Sequence, residues 1–224
     1  DRDKCFYTLH LACALRYVRW SRVEKHRDKE LICTGVEPPQ PMQGSNIVAQ
    51  EFDILILGGG SAGYATALRA RQLGFSVGLI EKDKVGGTCL HTGCIPTKAY
   101  LHAAELAEDA REASKVGVNT ELQSIEMGKV RNYKDGIVGG KFKGLSGLLK
   151  MKGVEVINGE GKLTGKDTIT VNGTEYKGKN IVLASGSVSK TFGLPIEGRV
   201  LTSTEALEMD YLPNSAIVLG LSLI

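Results

Sequence analysis

Two cysteine side chains, Cys89 and Cys94, lie five positions apart in the segment from Gly86 to Lys98. The thiolate is the reactive form of cysteine in disulfide exchange, and the amino end of a helix lowers a thiol pKa. The sequence predicts a helix that starts at this second cysteine, with Pro96 suited to its first turn. Lys98 follows Cys94 by one helical turn, so it projects from the same face and could stabilise a thiolate. The pattern therefore predicts a redox-active thiol pair beside a cation.

Metal binding is the alternative use of these thiols, because His91 and His102 stand nearby. Structural zinc takes four ligands, which usually come from two paired clusters, and the sequence offers no second pair at a suitable spacing. The four residues between Cys89 and Cys94 also differ from the two that separate the thiols of a thioredoxin-type motif. We therefore favour redox chemistry and expect no metal.

A glycine-rich turn, from Gly58 through Gly60 and Ser61 to Gly63, precedes the thiols and follows a short apolar run. In a dinucleotide-binding turn the first glycine permits the tight turn, the second lets the backbone approach a pyrophosphate, and the third lets the helix pack closely. Glu81 lies eighteen positions after Gly63, near the spacing of ~20 expected for a carboxylate that accepts from a ribose hydroxyl. The alternative is a glycine-rich turn that binds nothing, but a strand before it and a helix after it favour a nucleotide site.

The elements that must position these residues follow from apolar periodicity and from turn residues. The predicted strands and helices are a strand over 53–57, a helix over 61–73, a strand over 75–81, helices over about 95–113 and 124–151, a strand over 154–158, a meander over 162–176 turning at Asn172-Gly173, and a buried strand over 180–184. Glycines at positions 136, 139, 140, 144 and 147 of the second long helix suggest close packing against a neighbour. The sequence thus predicts an α/β, Rossmann-like fold with a parallel sheet and a small β-meander.

Composition excludes several classes of protein. The 28 basic and 25 acidic residues nearly cancel, so charge gives no case for a nucleic-acid or membrane-surface partner. Five cysteines, three of them outside the motif, do not form a secreted disulfide framework, which favours a reducing cytoplasm. No apolar run approaches the ~18 residues that a membrane helix needs.

Domain organisation is suggested by breaks in the pattern. Residues 1–41 show no clean period and end in a proline-rich stretch, so we expect an extension outside the fold, with Met42 as the initiator. The domain itself is predicted over 42–214. The segment 215–224 begins by repeating the pattern of 53–58, which predicts the first strand of a second dinucleotide domain.

The segment Gly86–Lys98 resembles the redox-active signature of the FAD-dependent pyridine nucleotide-disulfide oxidoreductases. Within that family it is most similar to the dihydrolipoamide dehydrogenase branch of bacterial type. The residues that indicate this branch are Leu90, Ile95, Pro96 and the helix start over 99–104. The resemblance covers about residues 52–220 and continues in the segments 158–162, 181–187 and 201–207.

The resemblance implies a non-covalent FAD site. Its cofactor-binding positions in this sequence would be Gly58, Gly60, Ser61, Gly63, Glu81, Lys82, Gly87, Thr88, Lys98, Gly161, Ser185, Gly186 and Ser187. Glu81 would hold the adenosine ribose, and Lys98 would lie near the flavin. Cys94 would face the flavin as the charge-transfer thiolate, while Cys89, further out, would be the interchange thiol.

The implied reaction passes electrons from dihydrolipoyl groups through the Cys89–Cys94 disulfide and FAD to NAD. Implied partners are a lipoyl domain, from a 2-oxoacid dehydrogenase complex or the glycine cleavage protein, and a second copy in a homodimer. The alternatives are a mercuric or glutathione reductase-type flavoenzyme and a non-catalytic flavin-binding fragment.

Two departures from the family pattern stand out. Gly220 is followed by Leu221 where the family continues its second fingerprint, so we expect the NAD and dimerisation domains to be missing and this fragment to be inactive by itself. Ser185 stands where threonine or alanine is usual, which is a mild change.

Overall fold

The computed structural model describes residues 50–220, so the predictions for residues 1–41 and for Met42 lie outside the described residues. The strands within this range are β1 (Gln50–Leu57), β2 (Val77–Glu81), β3 (Glu155–Asn158), β4 (Gly161–Leu163), β5 (Thr168–Val171) and β6 (Thr174–Leu183). The α-helices are α1 (Ser61–Gln72), α2 (Gly87–His91), α3 (Cys94–Glu112), α4 (Met127–Met151) and α5 (Ser203–Ala206), and a 3-10 turn spans Ala113–Val116. None of the helices in residues 50–220 combines the length and apolar character needed to cross a membrane.

The six strands form one mixed sheet in the order β3-β2-β1-β6-β5-β4. β3, β2, β1 and β6 run parallel, whereas β4 and β5 are antiparallel to their neighbours. Parallel neighbours need a crossover connection. It is supplied by α1 between β1 and β2, and by α2, α3 and α4 between β2 and β3. The predicted α/β, Rossmann-like class is therefore confirmed.

One long strand replaces two predicted elements. The sequence predicts a meander that ends at Tyr176 and a separate strand over 180–184, whereas β6 runs without a break over ten residues. It pairs with β5 on one side and with β1 on the other, so a single extended segment completes both parts of the sheet. The predicted turn is present, because Asn172 and Gly173 both have positive φ, at 50° and 81°, between the paired residues Val171 and Thr174.

The core lies on both faces of the central strands. Ile56 and Leu79 pack on one face with Leu149 of α4, while the adjacent Leu55 and Ile80 pack on the other face. All five side chains are fully buried. Burying an aliphatic side chain of this size stabilises a protein by about 1.5–3 kcal/mol. The continuous apolar runs of β1 and β2 are thus explained by burial on both sides.

Helix α4 packs differently from the prediction. At the five glycines between positions 136 and 147 a Cβ atom would meet nothing within 4 Å, so the expected close contact with a neighbour is wrong; they are Gly136, Gly139, Gly140, Gly144 and Gly147. The helix instead packs through Phe142, Leu145 and Leu149, which lie on its opposite face. Because a helix shows several faces, a glycine count does not say which face is covered.

The inner side of α4 also carries a buried cation, Lys134, which is 2% exposed. Its Nζ lies 2.8 Å from Oδ1 of Asp135 and 2.8 Å from Oε1 of Glu208. Tyr100 of α3 donates its hydroxyl to the backbone carbonyl of Leu207 at 3.0 Å. Burial acts to lower the pKa of Lys134, but the hydrogen bonds to Asp135 and Glu208 outweigh it and raise that pKa. These contacts, which we call the Lys134 cluster, hold the chain after α5 on α3 and α4.

Residues 215–220 do not form the strand that the sequence predicts. They have no regular secondary structure, and Ile217 and Val218 are 92% and 82% exposed. A strand needs a neighbour to pair its backbone N–H and C=O groups, and none of the six described strands pairs with this segment.

Candidate functional site

The glycine turn lies where β1 ends and α1 begins, and its glycines occupy different environments. A Cβ on Gly63 would lie 1.8 Å from the Gly58 carbonyl oxygen, and one on Gly58 would lie 2.2 Å from the Ala184 carbonyl oxygen. Gly58 also has a φ of 106°, which favours glycine. A Cβ on Gly60 would meet only the Gly87 Cα, at 3.8 Å. Gly58 and Gly63 therefore make the turn, while Gly60 leaves space through which a ligand could approach the backbone.

Glu81 ends β2 beside this turn. Its Oε2 accepts from the Gly59 N–H at 2.7 Å, and its Oε1 accepts from the Asp83 N–H at 3.0 Å. A carboxylate offers about four acceptor positions, so Glu81 keeps capacity for a hydroxyl group. The structure thus places the predicted acid against the turn, and Lys82 next to it is exposed.

The first thiol lies in a short helix that the sequence did not predict. Cys89 is the third residue of α2, whereas a glycine-rich loop was expected there. Helix α2 is held against the glycine turn, because the Gly86 N–H donates to the Gly59 carbonyl at 2.8 Å. A Cβ on Gly87 would lie 2.7 Å from the Gly60 Cα, so only glycine lets the two backbones approach this closely.

The second thiol, Cys94, is the first residue of α3, at the helix start that the sequence predicts. Both thiols are free in the structure; Cys89 is half-buried and Cys94 is exposed. Burial raises the pKa of Cys89, and the neighbouring Cys94 thiol raises it further. In this chain, therefore, Cys94 is the more exposed of the two residues, although the resemblance implies that Cys89 lies further from the flavin.

Lys98 and Thr88 flank the thiols. Lys98 is exposed one turn after Cys94 on α3, as its spacing predicts. Thr88 is an exposed residue of α2, and its carbonyl accepts from the Thr92 N–H at 2.9 Å. Both side chains are accessible on the surface next to the thiol pair.

The remaining predicted cofactor-binding residues, Gly161 and residues 185–187, lie at the same carboxyl edge of the sheet. The Ala184 N–H donates to the Leu57 carbonyl at 2.8 Å, and a Cβ on Gly58 would lie 3.1 Å from the Ser185 Cα. A Cβ on Gly161 would lie 2.7 Å from Cδ1 of Leu57. Gly186 and Ser187 follow in an exposed irregular segment. The ends of β1 and β6 and the start of β4 thus gather these residues around the turn.

The histidines of the metal alternative have other contacts. Nε2 of His91 lies 3.0 Å from the Val85 carbonyl, and its ring meets the Phe142 ring edge-on at 5.5 Å. Nδ1 of His102 lies 4.0 Å from Oε2 of Glu105 on the same helix. Within residues 50–220 no group of three or more histidine, cysteine, aspartate or glutamate side chains could hold a metal ion.

Gly59 is the site residue that the sequence reasoning missed. It donates to Glu81 and accepts from Gly86, so it joins the predicted acid, the turn and helix α2. The fingerprint pattern assigns roles to Gly58, Gly60 and Gly63 and leaves the glycine between them without one. Gly59 acts through its backbone N–H and C=O groups, and residue types do not reveal such contacts.

Parallel strands with a glycine turn at their carboxyl edge, followed by a thiol pair, are typical of nucleotide-dependent redox proteins. The profile of the pyridine nucleotide-disulphide oxidoreductase family matches residues 52–224. The chain belongs to this family, which confirms the resemblance on which the sequence prediction relies.

Several curated relatives are dihydrolipoyl dehydrogenases. The chain is 42% identical over 188 residues to that of Bacillus subtilis (strain 168), with 77% of this chain and 40% of the relative covered. It is 37% identical over 180 residues to that of Acholeplasma laidlawii, with 77% of this chain and 54% of the relative covered. It is 40% identical over 180 residues to the mitochondrial enzyme of Dictyostelium discoideum, with 76% of this chain and 37% of the relative covered. The chain therefore spans from under two fifths to about half of the length of these relatives.

Proposed function

We propose that this protein is a flavin-dependent disulfide oxidoreductase of the dihydrolipoyl dehydrogenase type. The observation that carries the proposal is the attachment of the thiol-bearing helix α2 to the glycine turn, through the Gly86–Gly59 hydrogen bond of 2.8 Å. A thiol pair that must exchange electrons with a bound dinucleotide has to lie beside the dinucleotide site. The family match and the names of the relatives support the same function.

FAD fits the residues at the carboxyl edge. The space left at Gly60 admits a pyrophosphate, and the amino end of α1 offers unpaired N–H groups and a partial positive charge. Glu81 would accept from the ribose, while Lys98 and Thr88 would flank the flavin beside the thiols. Lys82, Gly87, Gly161 and residues 185–187 would complete the contacts. When bound, FAD would supply two-electron redox chemistry between a dithiol and NAD.

The chain's own chemistry is thiol–disulfide exchange. A dihydrolipoyl thiolate attacks Sγ of Cys89 in the disulfide; the Cys89–Cys94 bond breaks, and its electron pair leaves on Sγ of Cys94. The second dihydrolipoyl thiolate then attacks the lipoyl sulfur of the mixed disulfide, and Cys89 leaves as a thiolate. The lipoyl group is oxidised to its cyclic disulfide, the cysteine pair is reduced, and the two dihydrolipoyl protons pass to solvent or to a base.

The partners follow from this reaction. A dihydrolipoyl group is carried on a protein, so we propose a lipoyl domain of a 2-oxoacid dehydrogenase complex or of the glycine cleavage system as the electron donor. NAD is proposed as the acceptor and a homodimer as the assembly. The relatives' shared name favours this function over mercuric or glutathione reduction.

The proposal is tested on FAD-loaded protein by mass spectrometry. We expect dihydrolipoamide to reduce the Cys89–Cys94 disulfide faster than reduced glutathione at equal thiol concentration. A Cys94→Ser variant treated with oxidised lipoamide should hold lipoamide as a mixed disulfide on Cys89, while Cys89→Ser should hold less on position 94. The three cysteines outside the motif serve as internal controls in the same peptide map.

Two results would contradict the proposal. Failure to bind FAD would contradict the proposed flavin function. Faster reduction of the disulfide by glutathione than by dihydrolipoamide would favour the glutathione reductase-type alternative. Trapping at Cys94 rather than at Cys89 would reverse the assigned roles while leaving the reaction class intact.

A further inference from the structure

His91 is the last residue of α2, the five-residue helix that carries Cys89. Its Nε2 lies 3.0 Å from the Val85 carbonyl oxygen. A carbonyl oxygen only accepts hydrogen bonds, so Nε2 must carry the hydrogen and the ring donates. The same ring meets the Phe142 ring of α4 edge-on, with 5.5 Å between the ring centroids. These two contacts, which we call the His91 clamp, join the end of α2 to the β2–α2 connection and to α4.

Both contacts of the clamp are made to fixed parts of the fold. Val85 is a buried member of the core cluster on one face of the sheet, and Phe142 packs against that same cluster. The residue after Val85, Gly86, donates its N–H to the Gly59 carbonyl at 2.8 Å. The His91 ring is therefore held by the core and by the backbone beside the glycine turn.

Helix α2 depends on contacts at its two ends. A helix of five residues has little stability of its own, because so few hydrogen bonds do not offset the cost of nucleation. The Gly86–Gly59 bond holds the amino end against the glycine turn, and the His91 side chain holds the carboxyl end. Cys89 lies between these two anchors, so both of them set the position of its sulfur.

His91 influences the thiols through the position of the helix. Residues two positions apart on a helix do not face each other, so the ring and the Cys89 side chain point in different directions. A disulfide requires Cβ atoms about 3.5–4.5 Å apart. Movement of the carboxyl end of α2 would therefore change how easily Cys89 bonds to Cys94, the first residue of α3.

We propose that His91 is a positioning residue, which holds α2 so that Cys89 stays within bonding reach of Cys94. This role rests on the proposed function, because the two thiols must form the reactive disulfide. Without the clamp, the reduced chain gains conformations in which the thiols are apart. Formation of the disulfide then costs more conformational entropy, so the disulfide becomes easier to reduce.

A redox titration of the thiol pair tests the clamp. The full chain is equilibrated with mixtures of reduced and oxidised glutathione, and the Cys89–Cys94 disulfide is read by peptide mass spectrometry. One oxidised glutathione takes the two electrons of the dithiol and becomes two reduced glutathione molecules, while the protein disulfide forms. We expect His91→Phe, which keeps a ring beside Phe142 but removes the donor, to lower the equilibrium constant for disulfide formation about three- to tenfold.

Two further variants at the same position separate the hydrogen bond from the ring contact. His91→Gln keeps an N–H donor at the ε position, so its constant should stay within about twofold of that of the parent chain. His91→Ala lacks both the donor and the ring and should lose at least about threefold. His102→Phe is the matched control, because His102 is an exposed histidine of α3 whose Nδ1 lies 4.0 Å from Oε2 of Glu105. It should leave the constant unchanged.

The possible failures are distinguishable. Equal constants for the parent chain, His91→Phe and His91→Ala, with all three folded by circular dichroism, would overturn the clamp alone. So would a loss in His91→Gln together with retention in His91→Phe, since the ring contact with Phe142 would then position α2. A parent chain that forms no Cys89–Cys94 disulfide at any glutathione ratio would overturn the proposed function, and the clamp with it.

Discussion

Glycine is concentrated in two regions of this chain, the turn at the end of β1 and helix α4, and the regions use it in opposite ways. In the turn, a Cβ on Gly63 or Gly58 would overlap a backbone carbonyl oxygen, at 1.8 and 2.2 Å. On α4, a Cβ at any of the five glycines from 136 to 147 would meet nothing within 4 Å. The sequence predicts close packing in both places. The difference shows that a run of glycines indicates crowding only where the chain path brings another backbone against it.

The largest expected effect is that of Gly63→Ala. The new methyl group must displace the Gly58 carbonyl, whose oxygen lies 1.8 Å from its position, so both the turn and the start of α1 have to shift. We expect a loss of about 3 kcal/mol in the free energy of unfolding, measured by urea denaturation, because overpacking at a backbone contact is not relieved by a rotamer change. A loss below about 0.5 kcal/mol would show that the turn is not tightly constrained.

Next in size is Lys134→Met, which acts on the packed side of α4. It removes the ion pairs to Asp135 and Glu208 but leaves both carboxylates about half exposed, so water can satisfy them. We expect a loss of about 1–2 kcal/mol in the free energy of unfolding. Since the folded state raises the pKa of Lys134, its stabilisation is complete below the unfolded pKa near 10.5 and falls as pH rises through the folded value.

Lys129→Met is the matched control for this variant. Lys129 lies on the same helix in an exposed ion pair with Glu126 at 2.8 Å. Surface pairs of this kind contribute about 0–1 kcal/mol, so a small change is expected. Equal losses for Lys129→Met and Lys134→Met would contradict the role given to the Lys134 cluster.

Gly140→Ala should act in the opposite direction. A methyl group on the open face of α4 meets no other atom, while alanine is favoured over glycine in a helix interior. We expect a gain of about 0.5–1 kcal/mol in the free energy of unfolding, measured in the same urea assay. A loss of stability would mean that this face is covered in the folded protein, and the contrast with the turn would disappear.

The smallest effect on stability is expected for Gly60→Ala. This variant tests whether Gly60, unlike Gly58 and Gly63, serves ligand binding rather than the turn itself. Its methyl group would lie 3.8 Å from the Gly87 Cα, an ordinary contact, so stability should change by less than about 0.5 kcal/mol. FAD binding, followed by quenching of flavin fluorescence, should nevertheless weaken at least about tenfold if the pyrophosphate approaches this backbone. Unchanged binding would place the dinucleotide elsewhere.

The local structure of this chain was predictable because it depends on short-range sterics and burial. Apolar runs indicate β1 and β2, and Asn172-Gly173 indicates a turn whose two residues both have positive φ. Element boundaries were less certain: β6 continues where two elements were expected, and α2 forms inside a segment read as a loop. Five residues of helix are too few to show a period.

The sequence by itself determined the types and order of the chemical groups: a dinucleotide turn, an acid at the end of the second strand, and two thiols with a lysine one turn later. Only the tertiary structure decided which groups meet. It placed Gly59 between Glu81 and Gly86, and paired Lys134 with Glu208, a partner 74 positions away. Spacing along a chain fixes neighbours within one helix or strand, whereas contacts between elements depend on the path of the whole backbone.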